Sequence, residues 1–444
     1  MDEPRAARPT IKFIDEYCAY YRNLFSDVRG FEAFKHLHIG VISSLKRKSL
    51  PAIATFVGLS NEQSLHHFLT SSPWQAEQLR NQRLGLTLKG LKGRKIWVII
   101  DETGDKKKGR STDYVSRQYL GKLGKIDHGI VAVTAWGLIE NITFPLMFEI
   151  YKPKHRLKAG DVYYSKPQIA AKLIRQIKQM GFEIELVLAD SLYGESETTF
   201  LGCLEELKLN FIVAIRSNHG VWLPQGQRVR QNKWRKFTRT FSDETQEIRF
   251  VREIVFGKKG YRRYWEVTTD PETMPVNSTS YVMTEIPQLS YQDVGNLYGC
   301  RNWVEYALNM SKNELGWVDF RFTHYENIEK WWEIISSAYL LVSLFTAPWT
   351  DSNKLQKVTS DKQVIKLLLQ HPDWDSGTGW KNFLNNLRLI SQPFICFNLI
   401  QPWLNVFPIP QLSLGFPRLI SLMNFFPNPM RQIEFKPDYH FSSA

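Results

Sequence analysis

The sequence predicts an α/β protein: a ribbon-and-helix core interrupted by a β-rich block and preceded by an all-helical segment. Three observations predict it. Two short apolar runs, Ile96 to Ile100 and Leu186 to Ala189, each stop at an aspartate, Asp101 and Asp190. Runs of this length, bounded by polar or Gly-containing segments, read as buried strands. Residues 10 to 90 read instead as helices joined by short turns. Residues 219 to 295 alternate, or carry β-branched and aromatic residues, between Gly and Pro. At 444 residues the chain exceeds one comfortable core, so several domains are expected. Their expected limits are 1–90, 91–218, 219–295, 296–348 and 349–444.

In the first segment, Ser49 to Ser60 has the character of the first helix and turn of a helix-turn-helix, with Asn61 to Leu69 as its second helix. That second helix would enter the major groove of DNA. His66 and His67 would then face DNA or cap the core, and short helical hairpins without DNA share the same pattern. Lys89 to Lys95 is a basic, Gly-punctuated linker into the first strand. After Asp101 comes T-G-D-K-K-K-G-R, a cationic loop suited to phosphate contact or simply to solvation. Gly129 to Leu138 and Ile142 to Tyr151 read as two more strands that continue a meander. Lys166 to Met180 is helical, with Ile169, Leu173, Ile177 and Met180 on one face and Gly181 as its stop.

The order strand, strand, strand, helix, strand ending in an acid is that of a ribonuclease-H-like core. Glu197 to Leu207 reads as the next helix and Phe211 to Ile215 as the next strand. Within the β-rich block, Trp222, Trp234 and Trp265 read first as core. Ile328 to Phe345 is a strongly apolar-periodic helix, expected to pack under the sheet and to end before Pro348. The last hundred residues predict a helix at Gly379 to Ile390 and irregular apolar stretches after it, such as Phe394 to Phe407.

The chemistry gathers at Tyr298 to Lys312, which contains no Pro and one Gly near its start, and so predicts one helix. At ~100° per residue, positions seven apart nearly eclipse. Tyr298, Arg301, Glu305 and Lys312 therefore share one stripe. Such a stripe faces either water, with an i,i+4 Arg301–Glu305 pair, or a polyanion with a metal. Asp101, Asp190 and Glu305 together make an all-oxygen ligand set suited to Mg²⁺ or Mn²⁺. A pair of such ions is the recurring device for in-line displacement at phosphorus. Each Asp taken alone is equally a helix N-cap or a turn residue. A haloacid-dehalogenase-type hydrolase also begins with an apolar strand and Asp, but it needs a second Asp two residues on, where this chain has Thr103.

On these residues the chain resembles the DDE insertion-sequence transposases, in the group marked by Y-x2-R-x3-E-x6-K. Tyr298, Arg301, Glu305 and Lys312 match that signature in type and spacing. Asp101 in V-I-I-D-E-T-G-D and Asp190 in V-L-A-D-S-L-Y-G match the first two acids, and the resemblance spans roughly residues 30 to 345. Ser191-Leu192 stands where some members have Arg-Glu, so contacts made by that pair do not carry over. The resemblance implies that Asp101, Asp190 and Glu305 hold two Mg²⁺ or Mn²⁺ ions per active site. Arg301 and Lys312 would clamp phosphates, and Tyr298 would hydrogen-bond or stack near the cleaved end. The resemblance also implies that the β-rich block supports the DNA end, with Trp222, Trp234 and Trp265 as candidates to stack on a flipped base. The partners would be double-stranded DNA, as element ends and target, and a second copy of the chain, a homodimer on DNA. Two other readings stay open: a metal nuclease on the same fold that never joins strands, and a transposase-derived DNA-binding regulator.

Composition agrees with a DNA partner. With 57 basic against 44 acidic residues the net charge is +13, the footprint of a polyanion binder or of a highly soluble surface. Fourteen Trp and 18 Tyr add rings suited to stacking. The 4 cysteines are far apart without a C-x-x-C pair, which argues against zinc and disulfides and for a reducing compartment. The first residues contain no apolar signal core. The longest apolar run, Ala338 to Ala347, falls short of the ~18 residues of a membrane span. The expectation is a cytoplasmic, nucleoid-associated protein with no membrane partner.

Overall fold

The computed structural model describes residues 5–109, 111–121, 124–221, 223, 225–226, 228–241, 245–256, 261–349 and 362–432. In chain order, its helices and strands begin with α1 (Lys12–Ala19), α2 (Val28–Ile42), α3 (Leu50–Phe56), α4 (Gln63–Thr70) and α5 (Ala76–Leu91). Then come β1 (Ile96–Lys106), β2 (Ser116–Leu120), β3 (Lys125–Ile139), β4 (Ile142–Ile150), α6 (Lys166–Gln179), β5 (Ile184–Ala189), α7 (Ser191–Gly194), α8 (Gly202–Glu206) and β6 (Phe211–Ile215). The β-rich block holds β7 (Val229–Gln231), β8 (Arg235–Thr240), β9 (Gln246–Phe256), β10 (Arg263–Thr268) and β11 (Ser280–Thr284). Last are α9 (Tyr291–Gly299), α10 (Asn302–Asn313), α11 (Tyr325–Leu344), α12 (Lys362–Leu368), α13 (Trp380–Val406) and α14 (Pro410–Met423). Backbone proximity groups these into a sheet unit, residues 93–308, and a helical unit, residues 1–92 with 309–444.

The sheet unit is a large mixed sheet in the order β2-β3-β1-β5-β6-β11-β10-β9-β7, with β4 on β3 and β8 on β9. β1, β3 and β4 pair antiparallel as the expected meander, while β5 lies parallel to β1 and β6 parallel to β5. The strands flanking the acids are buried on both faces: Val98, Ile99, Ile100, Val187, Leu188 and Ala189 are all fully buried. That burial is why they read as continuous apolar runs rather than alternating ones. α6 begins at a capping box, Ser165 with Gln168, and buries Ile169, Leu173 and Ile177. It packs on β3 and β4, and Gly181 ends it at a φ of 95°.

Two strands go beyond the sequence reading. β1 does not stop at Ile100 but runs through Asp101 to Lys106, because the fifteen-residue β3 offers it backbone partners as far as Lys106↔Gly129. The expected cationic loop therefore begins only after Lys106. β2, S-R-Q-Y-L, was not expected; it pairs with the first residues of β3 and buries only its two ends. The β-rich block continues the same sheet, since β11 pairs antiparallel with β6, Val282 opposite Ala214. Of the three stacking candidates, Trp265 is core at 4% exposure, and Trp234 is half-buried with Arg252 4.3 Å above its ring. Trp222 lies outside the described residues.

In the helical unit, α11 is buried almost along its whole length, with Trp331, Trp332 and Tyr339 at 1% exposure or less. That burial comes from α5, α2, α4 and α13, where the sequence reading put the helix under a sheet. Its charged residue Glu333 is fully buried and paired at 3.1 Å with Arg83, itself fully buried, and at 2.6 Å with Arg80. Burying these charges together avoids the cost of stranding any one of them. α3 and α4 form the expected hairpin, with Ile53, Ala54, Leu65, Phe68 and Leu69 inside and His66 and His67 exposed. The expected irregular stretches after Ile390 are instead helical: α13 continues through Pro393 and Pro402. Each proline removes a backbone bond, and the buried side chains of Leu384, Leu387, Ile390 and Ile395 hold the helix regardless. No helix among the described residues is long and apolar enough to cross a membrane.

Candidate active site

The parallel register of β1 and β5 ends with Ile100 opposite Ala189. The next residue on each strand is an acid. Neighbouring strands lie about 4.8 Å apart, so Asp101 and Asp190 emerge side by side at the carboxyl end of β5. Asp101 is still inside β1, opposite Thr134, whose hydroxyl donates to the Asp101 carbonyl at 3.0 Å. Asp190 has left its strand and caps α7, its Oδ1 accepting from the Leu192 N–H at 2.9 Å. The N-cap role and a place among the acids are therefore compatible. The turn is held close to the sheet by Gly194, where a Cβ would meet the Ala214 carbonyl oxygen at 1.9 Å.

Glu305 arrives on a different support. The single helix expected from Tyr298 to Lys312 is two helices, α9 and α10, joined at Cys300 and Arg301. Tight bonds carry the joint: the Arg301 N–H donates to Tyr298 at 3.0 Å, and the Trp303 N–H donates to Cys300 at 3.1 Å. α9 rests on the β-rich block through its glycines. A Cβ at Gly295 would lie 2.2 Å from the Phe237 ring, and one at Gly299 2.9 Å from Arg239 Nε.

Arg301 joins the two supports. Its Nη1 donates to Asp101 Oδ2 at 3.3 Å and its Nη2 to Glu305 Oε1 at 2.9 Å, so the expected i,i+4 pair forms and a strand acid is added to it. Burial disfavours the guanidinium charge, but Tyr298, Asp101, Glu305 and Asp190 outweigh it and hold the Arg301 pKa above its ordinary value. Burial raises the Tyr298 phenol, against the opposing pull of Arg301. Asp101 is pushed up to about 7, first by burial, with the charges of Asp190 and Glu305 adding to the effect while Arg301 opposes it. Asp101 thus feels both other acids electrostatically. Lys312 closes the last turn of α10 and belongs to the helical unit.

The donor set suits a hard divalent cation in chemical type, since it consists of carboxylate oxygens. The three do not yet converge: among the described residues no group of three His, Cys, Asp or Glu side chains is arranged to hold a metal ion. Two observations nevertheless fit a cation here. The Glu305 side chain is 59% exposed, and a positive charge between Asp101 and Glu305 is already supplied by Arg301, which bonds both carboxylates. A residue not anticipated from sequence also bears on the site. The Tyr193 hydroxyl is fully buried and has no hydrogen-bond partner among the described residues, and its pKa is raised by burial first, then by Glu102, Asp101 and Asp190. It is a buried donor within electrostatic reach of the acids. Its signal in the sequence was its place three residues after Asp190, one turn further along.

Two family models match the chain: one described as a DDE superfamily endonuclease, over residues 23–240, and one described as a transposase DDE domain, over residues 160–341. The chain is also similar to a protein of Microchaete diplosiphon described as the probable transposase for insertion sequence element IS701. The two are 61% identical over 329 residues, which cover 74% of this chain and 87% of that relative.

Proposed function

This chain belongs to the DDE transposases of insertion sequences, a divalent-metal-dependent family, and from that premise we propose that Asp101, Asp190 and Glu305 are its catalytic acids and metal ligands. The reading takes two ions per site, Mg²⁺ or Mn²⁺. When bound, such ions activate water or a DNA 3′-hydroxyl and stabilise the leaving 3′-oxygen. Asp101 and Asp190 form the rigid part of the ligand set, because the paired strands β1 and β5 carry them, Asp101 within β1 and Asp190 one residue past β5. Glu305 is the adjustable part. Arg301 grips a phosphate flanking the cleaved bond through its two-pronged guanidinium, and Lys312 does so as a point charge. Tyr298 hydrogen-bonds or stacks near the cleaved end.

The observation that carries this reading is the pairing of Ile100 with Ala189, which sets two acids next to each other, together with the Arg301 bridge from Asp101 to Glu305. The strand succession β4-β3-β1-β5-β6, antiparallel then parallel, supports the ribonuclease-H-like core that a DDE domain implies. α3 and α4, with His66 and His67 outward, are the proposed reader of double-stranded DNA ends. The working assembly is a homodimer on DNA in the cytoplasm, at the nucleoid. The test is cleavage and strand transfer with 3′-hydroxyl donor ends. Asp101→Ala, Asp190→Ala and Glu305→Ala each lose metal-dependent cleavage while still binding ends. An Asp101→Ala or Glu305→Ala protein that cuts at the wild-type rate would show the assignment to be wrong, and cutting without joining would return the nuclease reading.

A further inference from the structure

Arg301 sends one guanidinium nitrogen to each of two acids, Nη1 to Asp101 Oδ2 at 3.3 Å and Nη2 to Glu305 Oε1 at 2.9 Å. Asp190 is outside this bridge, with Oδ1 on the Leu192 N–H. We propose that Arg301 is a displaceable counter-ion: it occupies the space between Asp101 and Glu305 until a DNA phosphate draws it away, so that metal loading waits for DNA. This rests on the assignment of Asp101 and Glu305 as metal ligands.

The argument is one of exclusion. A small divalent ion bonds carboxylate oxygens at ~2.0–2.1 Å, and a guanidinium hydrogen-bonded to the same two carboxylates fills the approach with like charge. The bridge and the ion cannot both be made. Arg301 is 18% exposed on its side chain and Asp101 14%, so water screens this half of the bridge only weakly, while the Glu305 half, at 59% exposure, is the more screened. A phosphate is the one partner that matches the guanidinium fork as well as a carboxylate does. Once Arg301 turns to a phosphate, Asp101 and Glu305 lose their counter-charge at the moment a cation is required. By linkage the coupling is reciprocal: DNA raises metal affinity and metal raises DNA affinity. A site built this way stays poorly loaded when no DNA is present, which restrains indiscriminate cutting.

The experiment measures Mn²⁺ binding to the full-length protein by electron paramagnetic resonance of the free ion, without DNA and with a short duplex whose own Mn²⁺ uptake is subtracted. Arg301→Gln is expected to bind Mn²⁺ about tenfold more tightly than wild type without DNA, within the usual range of coupling energies. The duplex should tighten binding to wild type and leave Arg301→Gln nearly unchanged. Arg301→Lys, which keeps the charge and loses the fork, falls between. Unchanged or weaker Mn²⁺ binding by Arg301→Gln overturns the proposal, because Arg301 would then support the ligands instead of competing. Adding Asp101→Asn to Arg301→Gln separates the two layers. If it removes the gain, the counter-ion role and the ligand role both hold. If the gain persists, it arises elsewhere and the ligand assignment itself fails.

Discussion

The Asp190 carboxylate accepts a hydrogen bond from the Leu192 N–H at 2.9 Å, so the second acid is also the cap of the turn that follows it. Charge and capping can therefore be separated by substitution. Asn caps a helix about as well as Asp, whereas Ala costs about 1 kcal/mol. Asp190→Asn is expected to keep wild-type stability and lose cleavage by more than about a hundredfold, the upper range seen when only an outer partner of a metal site is removed. Asp190→Ala loses the same activity and about 1 kcal/mol of stability besides. Urea unfolding beside a cleavage assay checks both; an active Asp190→Asn would leave the residue with its capping role alone.

Lys312 lies in the last turn of α10, one stripe with Tyr298, Arg301 and Glu305 in sequence. If it contacts one phosphate, Lys312→Ala weakens binding of DNA ends and lowers the salt slope of log K by about one unit. Titrations at several salt concentrations read the slope directly. A slope and an activity both equal to wild type would assign Lys312 to a solvated helix face.

Lys48 is 2% exposed, and its ammonium donates to the Ser43 carbonyl at 2.6 Å and the Leu45 carbonyl at 2.7 Å. Burial, with added repulsion from Arg388, lowers its pKa to about 7. The unfolded chain keeps its proton up to an ordinary lysine value, so between about pH 7 and pH 10 the unfolded state binds more protons than the folded one. Stability of the helical unit should therefore rise across that window, by at most a few kcal/mol. Lys48→Met should flatten the rise. Denaturant midpoints measured through the window decide it, and a wild-type stability that falls from pH 7 to pH 9 would contradict the shift.

Between Ser391 and Asn428 the one charged residue is Arg418. On this stretch Trp403 is 69% exposed, Val406 67% and Leu414 74%. Apolar exposure on this scale suits an interaction surface, and two-fold pairing, the commonest way to join identical chains, is the arrangement the prediction tests. Trp403→Glu with Leu414→Glu is expected to reduce the complex on end-containing duplex from two protein copies to one and to abolish concerted transfer. The net charge of +13 opposes pairing of free copies until phosphates neutralise it. Light scattering with and without duplex measures the stoichiometry. A wild-type complex with one protein per DNA that still supports transfer would exclude the dimer.

The sequence by itself determined many of the local elements and, through its signature, the class of chemistry. Strands β1 and β5 were legible because both their faces are buried, and α6 because Ile169, Leu173 and Ile177 recur at helical spacing. The proposed acids were legible as Asp101 and Asp190 ending two apolar runs, and Glu305 through its spacing from Tyr298, Arg301 and Lys312. Tertiary structure alone decided which of these meet. The register that sets Ile100 against Ala189 was not legible, because both strands are apolar on both faces and offer no alternation to select one pairing over the next. The run of β1 past Asp101 was hidden because its extra residues are polar and are held as a strand by β3. Also hidden were the joining of the β-rich block through β11 and β6, and the break at Cys300–Arg301, where helical periodicity continues across a tight turn. The prolines of α13 read as stops, yet buried contacts from distant residues keep the helix intact. The bond from Arg301 to Asp101 likewise links residues remote in the chain, and only folding sets a guanidinium among the acids.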